Sequence, residues 1–375
     1  MISAYRLFPQ VFLLSTAYGI SFPLLSFALV DMEASTQIIG LIAAMPALGW
    51  LIGTPLIPVI LRKMSLPALT LCLLGAAVLA WAGFWLVQSP PVWVGLRFVF
   101  GGAMGLFFRC IEYAITATAP PHARGRWLGF YNVMFLGGLI LGSLLLPVLQ
   151  NDMVQFGAVM AGLLAIFLVG FLWPIVPQIL APKSYNLAKL TAFAWAAPLS
   201  AMAVFTYGVY EDLPAAMLPV YVLQQGMGEG LASSAVTVSL LGALIGPIAG
   251  GMATDRIGAR PMVAIAASLG ALGMVAVALV DPAQQAQFLA LLMVCGAAFG
   301  ALYIAGLSYL AAQFQGEDLL HANMGFGTIY AIAAMLGPLY NAQTMTLWEN
   351  GGLFWGVAAL AGLMVVVALP LRRRA

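Results

Sequence analysis

Five ionisable side chains lie deep inside apolar stretches of this sequence, and they fall in only two of them. Arg97, Arg109 and Glu112 lie in one; Glu211 and Asp212 lie in the other. A charge near a bilayer centre costs about 2.5–3.5 kcal/mol on insertion scales, so such groups face a water-filled cavity or one another. Burial favours the neutral form of an acid, and a nearby guanidinium favours the charged form. An acid balanced between the two can load and release a proton as its exposure changes, which is the chemistry of a proton-coupled carrier.

The elements that must hold these charges are membrane spans. The chain has 375 residues, of which 63% are hydrophobic and 7% charged. A soluble domain carries about 25% charged residues, so no soluble fold hides this much apolar surface. At about 20 apolar residues per span, the sequence predicts an all-α membrane protein of twelve transmembrane helices. They run roughly over 8–30, 38–61, 66–87, 91–118, 125–149, 153–180, 191–223, 231–253, 261–280, 285–314, 319–347 and 351–371. The runs are too long for barrel strands of ~10 alternating residues. Only Arg6 precedes the first run and no small-x-small site follows it, so that run is read as a span and not a cleaved signal.

Basic residues mark alternate ends of the spans. Arg6, Arg62, Lys63, Arg124, Arg126, Lys183, Lys189, Arg256, Arg260 and Arg372 to Arg374 make up twelve of the fourteen Lys and Arg. The opposite loops hold only acids, which places both termini in the cytoplasm by the positive-inside rule. The loop after span 10, with Glu317, Asp318 and His321, is the exception. The three cysteines, Cys72, Cys110 and Cys295, match no zinc or redox spacing and read as buried packing residues. His122 and His321 sit singly near loops and make no metal site. No cofactor is implied, and a formal charge of +2 gives no footprint for nucleic acid.

A weak repeat at an offset of about 195 residues pairs Gly101 and Gly105 with Gly296 and Gly300, and Gly142 with Gly337. It implies two halves of like orientation, residues 1–180 and 191–375, joined by a short cytoplasmic linker at 181–190. Arg97, Arg109 and Glu112 stand outside the repeat, since the matching positions are Leu292, Ile304 and Leu307.

Between spans 8 and 9 the sequence reads Gly251-Met-Ala-Thr-Asp255-Arg256-Ile-Gly258-Ala-Arg260. It resembles the loop signature of the major facilitator superfamily, in which a Gly is followed by Asp-Arg-x-Gly and a further basic residue. The copy expected in the first half, around Arg62 and Lys63, has Ser65 for Gly and no Asp. Arg97 followed by Gly101 resembles the superfamily's fourth-helix motif, associated with proton exchange. Gly138 to Gly142 resembles its fifth-helix antiporter motif, with Ser143 where Gly-Pro is expected. Arg109-Cys-Ile-Glu112, Arg124-Gly-Arg126, Tyr131 and Leu218-Pro219-Val-Tyr221 are similar to a bacterial branch, the YcaD-like transporters.

The resemblance covers essentially the whole chain. It implies a cavity lined by spans 1, 4, 7 and 10 with spans 3, 6, 9 and 12 against lipid, and a cytoplasmic gate latched by Gly251, Asp255, Arg256, Gly258 and Arg260. Gly251 is expected to permit close helix contact and Gly258 a tight turn. At 1.5 Å per residue Arg97 lies about 9 Å down span 4 from the outside, and Glu211 and Asp212 occupy the outer half of span 7. Pairing of Arg97 with one of these acids is therefore expected in at least one state. Pro214 removes a backbone bond to the Tyr210 carbonyl and, with Gly208, is expected to bend or unwind span 7. Arg109 and Glu112, three apart on one helix face, read either as a local brace or as gate residues that exchange partners. Tyr18, Tyr207, Tyr210, Tyr303, Asn341 and Gln343 read as cavity lining or as interhelical and interfacial groups.

Together these features indicate a secondary active transporter of a small organic solute. It is expected to be a proton-coupled monomer in the inner membrane bilayer, and an apolar, Met-rich cavity would suit efflux of amphipathic compounds. Uptake of a small metabolite, and a non-transporting receptor or scaffold, stay open as alternatives. No GxxxxGK[ST], HExxH or GxSxG occurs, which argues against ATP-driven transport and against an enzyme.

Overall fold

A computed structural model of the chain describes residues 7–118, 124–149, 152–172, 197–314, 316–348 and 351–368. Among these residues all regular structure is helical. The helices are α1 (Leu7–Asp31), α2 (Thr36–Gly53), α3 (Ile57–Ile60), α4 (Leu66–Leu86), α5 (Pro90–Thr118), α6 (Arg124–Leu145) and α7 (Asp152–Leu172). They continue as α8 (Pro198–Glu211), α9 (Leu218–Gln224), α10 (Glu229–Ile257), α11 (Ala259–Leu279), α12 (Gln285–Gln313), α13 (Gly316–Leu347) and α14 (Gly352–Ala368). A 3₁₀ turn, Thr54–Leu56, carries α2 into α3, so the pair reads as one stretch.

Ten helices among the described residues are long and apolar enough to cross a membrane. The expected spans missing from that set are the seventh, which is broken, and the twelfth, whose helix has 17 residues. The expected linker at 181–190 and His122 lie outside the described residues, as do Arg6, Lys183, Lys189 and Arg372 to Arg374. Nothing is described for the side chains of Arg124, Arg126 and His321.

Helix ends follow local chemistry more than hydropathy. Ser65 caps α4 by accepting from the Ala68 N–H at 3.3 Å, with Pro67 in the first turn where its missing N–H costs nothing. The Gly251–Arg260 signature, expected as a loop, is instead helix on both sides of one residue. α10 runs on through Asp255 and Arg256, and Gly258 alone makes the turn at φ 89° and ψ 156°. Charged residues past the apolar run extend a helix into water without penalty, and only a glycine tolerates that backbone. The loop expected after span 10 is shortened in the same way. α13 starts at Gly316, so Glu317, Asp318 and His321 lie in its first turns, where acids suit the helix dipole. Cys110 and Cys295 are buried, but Cys72 is exposed on α4, contrary to expectation. It shares that helix with Leu79, and α7, α11 and α14 likewise expose Phe171, Leu272 and Val366.

The chain divides into two compact units, Met1–Ala34 with Leu41–Tyr185, and Ser35–Gly40 with Asn186–Ala375. Inside each, small residues bring helix backbones into contact, as membrane helices without a hydrophobic driving force require. In the first unit a Cβ on Gly142 of α6 would stand 2.8 Å from the Ile20 nitrogen of α1, and one on Gly49 of α2 would stand 2.7 Å from the Gly102 Cα of α5. In the second, a Cβ on Gly246 of α10 would stand 2.7 Å from the Ala297 Cα of α12, and one on Gly337 of α13 would stand 2.9 Å from the Val209 Cα of α8. The repeat glycines thus occupy matching crossings: Gly101 and Gly105 meet α2 at Pro46 and Trp50, Gly296 and Gly300 meet α10 at Gly242 and Pro247, while Gly142 meets α1 and Gly337 meets α8. The contact of α13 with α8 is the one that builds the site described next.

Candidate functional site

α8 is apolar to its last turn and ends on Glu211 because of Pro214 three residues on. A proline there cannot donate to the Tyr210 carbonyl, and its ring crowds the preceding turn. The chain passes instead through Asp212 into a wide π-helical turn, Leu213–Met217, with the Ala216 N–H bonded to the Asp212 carbonyl at 3.0 Å. The interruption anticipated from Pro214 is therefore present, and π-turns of this kind often mark functional positions.

Glu211 is half-buried at this interruption. The Tyr207 hydroxyl, one turn back on α8, donates to its Oε1 at 3.3 Å. The Tyr330 hydroxyl of α13 donates to its Oε2. Aromatic rings surround the carboxylate on this side. Tyr207 and Tyr330 lie nearly parallel with centroids 6.2 Å apart. Tyr303 of α12 tilts against Tyr207 at 4.8 Å and is backed by buried Phe326 at 5.4 Å. Two phenols thus reach two different oxygens of one carboxyl group, each with a hydroxyl that can donate to it. A proton on the carboxyl would add a donor beside these two phenols, and Tyr330 belongs to α13, so the protonation of Glu211 bears on the α8–α13 contact.

The other expected lining groups of this unit divide. Asn341 is fully buried and its Nδ2 donates to the Val209 carbonyl at 3.1 Å, bracing the backbone just before the interruption. Tyr210 is buried and stacks on Phe299 at 4.1 Å. Gln343 is exposed. Asp212 is half-buried beside Glu211.

In the first unit Arg97 of α5 is 3% exposed. Its guanidinium carbon lies 4.7 Å from the Phe22 ring centre and 5.8 Å from that of Phe100, a cation–π setting. Tyr18 packs on the same two rings. Arg109 and Glu112 do form an ion pair, Nη1 to Oε2 at 3.1 Å, and both side chains are about two-fifths exposed, at 42% and 40%. The Arg109 guanidinium also lies over Trp50 of α2 at 5.3 Å.

At the α10–α11 turn, Arg260 donates from Nε to the Ala368 carbonyl at 3.3 Å, satisfying the end of α14. Asp255 and Arg256 are exposed and make no ion pair among the described residues. Gly251 has room for a side chain, since a Cβ would stand 3.7 Å from Ile304. The close approach expected there is made one residue earlier, by Gly250, whose Cβ would stand 2.6 Å from that of Ala301. The physical reason is helical phase: Gly242, Gly246 and Gly250, four apart, form the row facing α12, and Gly251 is turned about 100° away.

The sequence profile of the Major Facilitator Superfamily matches residues 7–228 and 200–375. The chain belongs to that superfamily. A curated relative, the "Uncharacterized MFS-type transporter YfkF" of Bacillus subtilis strain 168, is 25% identical over 367 residues, covering 94% of this chain and 92% of its own. The "Uncharacterized MFS-type transporter YcaD" of Salmonella typhimurium is 22% identical over 292 residues, 76% of this chain and 72% of its own. These relatives support placement in the YcaD-like branch. Among solved structures, a mutant of the nucleoside transporter NupG superposes with a TM-score of 0.81 at 15% identity, covering 97% of this chain and 98% of that one, which establishes a shared fold. This superfamily member is accordingly a multi-pass membrane transporter and not an enzyme.

Two residues of this superfamily member's site escaped the sequence: Tyr330, which reaches the acid, and Phe326, which backs Tyr303. A signal for the first exists in the repeat. Positions 195 earlier than Tyr207, Glu211, Tyr303 and Tyr330 (207 − 195, and so on) hold Phe12, Thr16, Phe108 and Phe135. The first unit keeps an aromatic contact there, Phe108 with Phe135 at 4.8 Å. The three hydroxyls occur only in the half that has the carboxylate.

Proposed function

We propose that this transporter carries a small organic solute across the bacterial inner membrane by alternating access, coupled to protons, with Glu211 as the group that takes up and releases the proton. The observation that carries the reading is the half-buried Glu211 carboxylate held by the Tyr207 and Tyr330 hydroxyls where span 7 is interrupted. Two hydroxyl donors satisfy the carboxyl oxygens in apolar surroundings, and a proton turns an acceptor-only group into one that also donates, a rearrangement of this small network. Because Tyr330 belongs to α13, that rearrangement alters a helix–helix contact, which is what couples a proton to a conformational step.

The architecture proposed with it is twelve helices in two six-helix halves with both termini cytoplasmic. The ten continuous spans, the interrupted stretch from Pro198 to Gln224 and the helix Gly352–Ala368 support the count. The alternation of basic residues supports the orientation. Arg97, buried on aromatic rings, and Asp212 are the further charges of the solute or proton path. Arg109 with Glu112, and Gly251, Asp255, Arg256, Gly258 and Arg260, are the proposed brace and gate. The apolar and Met-rich composition favours efflux of amphipathic compounds, by a protein acting as a monomer.

Purified protein in liposomes loaded with a pH-sensitive dye, screened against solute classes, tests this. One proton per solute at 100 mV supplies about 2.3 kcal/mol, or about 50-fold accumulation. Glu211→Gln is expected to bring accumulation to about unity while solute exchange without a gradient persists. A Glu211→Gln protein that still accumulates solute tenfold defeats the coupling role. The sign of the gradient that drives accumulation gives the direction.

A further inference from the structure

One short segment packs away from its chain neighbours. Met1–Ala34 and Leu41–Tyr185 form the first unit, yet Ser35–Gly40 between them belongs to the second. The segment is the start of α2, and the rest of that helix stays in the first unit, with Gly49 on Gly102 of α5. Its hold on the second unit is polar and small. The Gln224 Nε2, at the end of α9, donates to the Thr36 Oγ1 at 3.2 Å. The Gln37 Nε2 donates to the Thr346 Oγ1 of α13 at 3.0 Å. Gly40 is buried one turn on, where a Cβ would meet that of Ala342 and stand 2.8 Å from the Pro338 carbonyl oxygen. Residues 36, 37 and 40 share one helix face. Duplication did not supply this contact. The positions 195 later hold Leu231, Ala232 and Ala235, and all of Asn186–Ala375 stays in one unit. The backbone is weak on both sides of the segment. Just before it Glu33, the one non-glycine with positive φ among the described residues, stands at 54°. Just after it Pro46 removes the bond to the Ile42 carbonyl, between the grip on α13 and the grip on α5.

We infer that the start of α2 is a releasable strap: Thr36, Gln37 and Gly40 hold it to α9 and α13 here, and in another state of the transport cycle it lifts off them, bending at Pro46. The inference deepens the alternating-access reading and rests on it for the role of the movement. The chemistry of the contact suits release. Gln37, Gln224 and Thr346 are exposed, so water can replace each bond as it breaks. One such neutral bond shifts an equilibrium about 2- to 13-fold, and two shift it about 5- to 150-fold. That range leaves the released state populated, as a working two-state element requires. Gly40 lets the backbones touch without an interlocking side chain, so the strap can leave without unthreading. A helix that two units grip at different points, with a backbone bond missing between the grips, bends there when the units part.

Thiol labelling of the purified full chain in liposomes, with a water-soluble maleimide and peptide mass spectrometry, tests this. Ile39 lies in the strap and is 2% exposed, so Ile39→Cys is the reporter. Cys110 and Cys295, buried one in each unit, report general loosening in the same sample. Gln37→Leu with Gln224→Leu is expected to speed labelling at position 39 about 5- to 150-fold and to leave Cys110 and Cys295 within about twofold. Gly40→Leu, whose side chain cannot seat against Pro338 and Ala342, is expected to speed it at least about fivefold. Labelling at position 39 that neither variant changes, or that rises equally at positions 110 and 295, overturns the inference. The reporter is also read with and without an imposed pH gradient, which is expected to change its rate at least about threefold. A strap that the variants release and no gradient moves keeps the inference and counts against proton coupling. Proton-driven accumulation of a solute by a protein whose position 39 stays protected in both variants keeps the transport reading and removes the strap.

Discussion

Tyr330→Phe removes a single oxygen, the one that ties α13 to the carboxylate at the end of α8. A hydrogen bond to a charged acceptor contributes about 1.5–3 kcal/mol, and half-exposure of Glu211 reduces this to about 1–2 kcal/mol. A cooperative unit of 150–250 residues, the size class of the second unit, shifts by about 2–4 °C per kcal/mol, so the midpoint of thermal unfolding should fall by about 2–8 °C. Tyr207→Phe should cost less, about 0.5 kcal/mol, because its bond is longer at 3.3 Å and lies within one helix. Glu211→Gln should cost about as much as Tyr330→Phe. An amide can accept from one phenol, but its NH₂ then faces the other, which must turn round. The double variant Tyr330→Phe with Glu211→Gln should melt no lower than the worse single variant, since both remove the same bond. Scanning fluorimetry of the purified variants in one detergent measures all four. A Tyr330→Phe midpoint within 1 °C of the parent, or losses that simply add in the double variant, would show that this bond does not join the two helices energetically.

The glycine row gives a contrast that the same measurement resolves. Gly246→Ala should destabilise by about 1–3 kcal/mol through overpacking against Ala297, whereas Gly251→Ala should stay within about 0.5 kcal/mol because its side has room beside Ile304. Gly258→Ala should cost about 1–3 kcal/mol, read as a lower midpoint, because φ 89° with ψ 156° is a glycine conformation. Glu112→Gln should change stability by less than about 1 kcal/mol, since its pair with Arg109 is two-fifths exposed. Transport lost in that variant at unchanged midpoint would mark the pair as a gate, and transport retained would mark it as a brace.

Hydropathy located the helices because the cost of leaving backbone groups unpaired in lipid forces each long apolar run to be helical. It misplaced their ends wherever charged residues continue a helix beyond the apolar run, as Asp255 and Arg256 do at the end of α10 and Glu317 and Asp318 at the start of α13. The interruption of span 7 was legible for a different reason: a proline acts on the residue four before it, so the rule is local. Gly251 was misread because the motif names a glycine without its phase, and phase decides which of two neighbouring glycines meets α12.

The partners of Glu211 were not legible along one helix, and the reason is geometric. Tyr330 lies 119 residues from Glu211, and only the crossing of α13 on α8, at Gly208 and Gly337, brings them together. That crossing belongs to the duplicated scaffold, since Gly337 repeats Gly142 on the matching crossing of α6 with α1. Duplication therefore supplied an aromatic contact at equivalent places in both units, and chemistry was added to one. Turning Phe into Tyr at three positions alters the packed volume by one oxygen each and keeps the ring faces, so the fold tolerates it. A lone carboxylate there would be costly in an apolar surrounding, and lone hydroxyls would be unsatisfied. Acid and hydroxyls are stable only together. Introducing Glu at Thr16 with Phe12 and Phe135 left unchanged should thus impair folding more than introducing it with both changed to Tyr, which expression and melting of the two variants would measure. Equal yields and midpoints would mean that the phenols do not support the acid, and the reading of Glu211 as a held, proton-exchanging carboxylate would lose its footing.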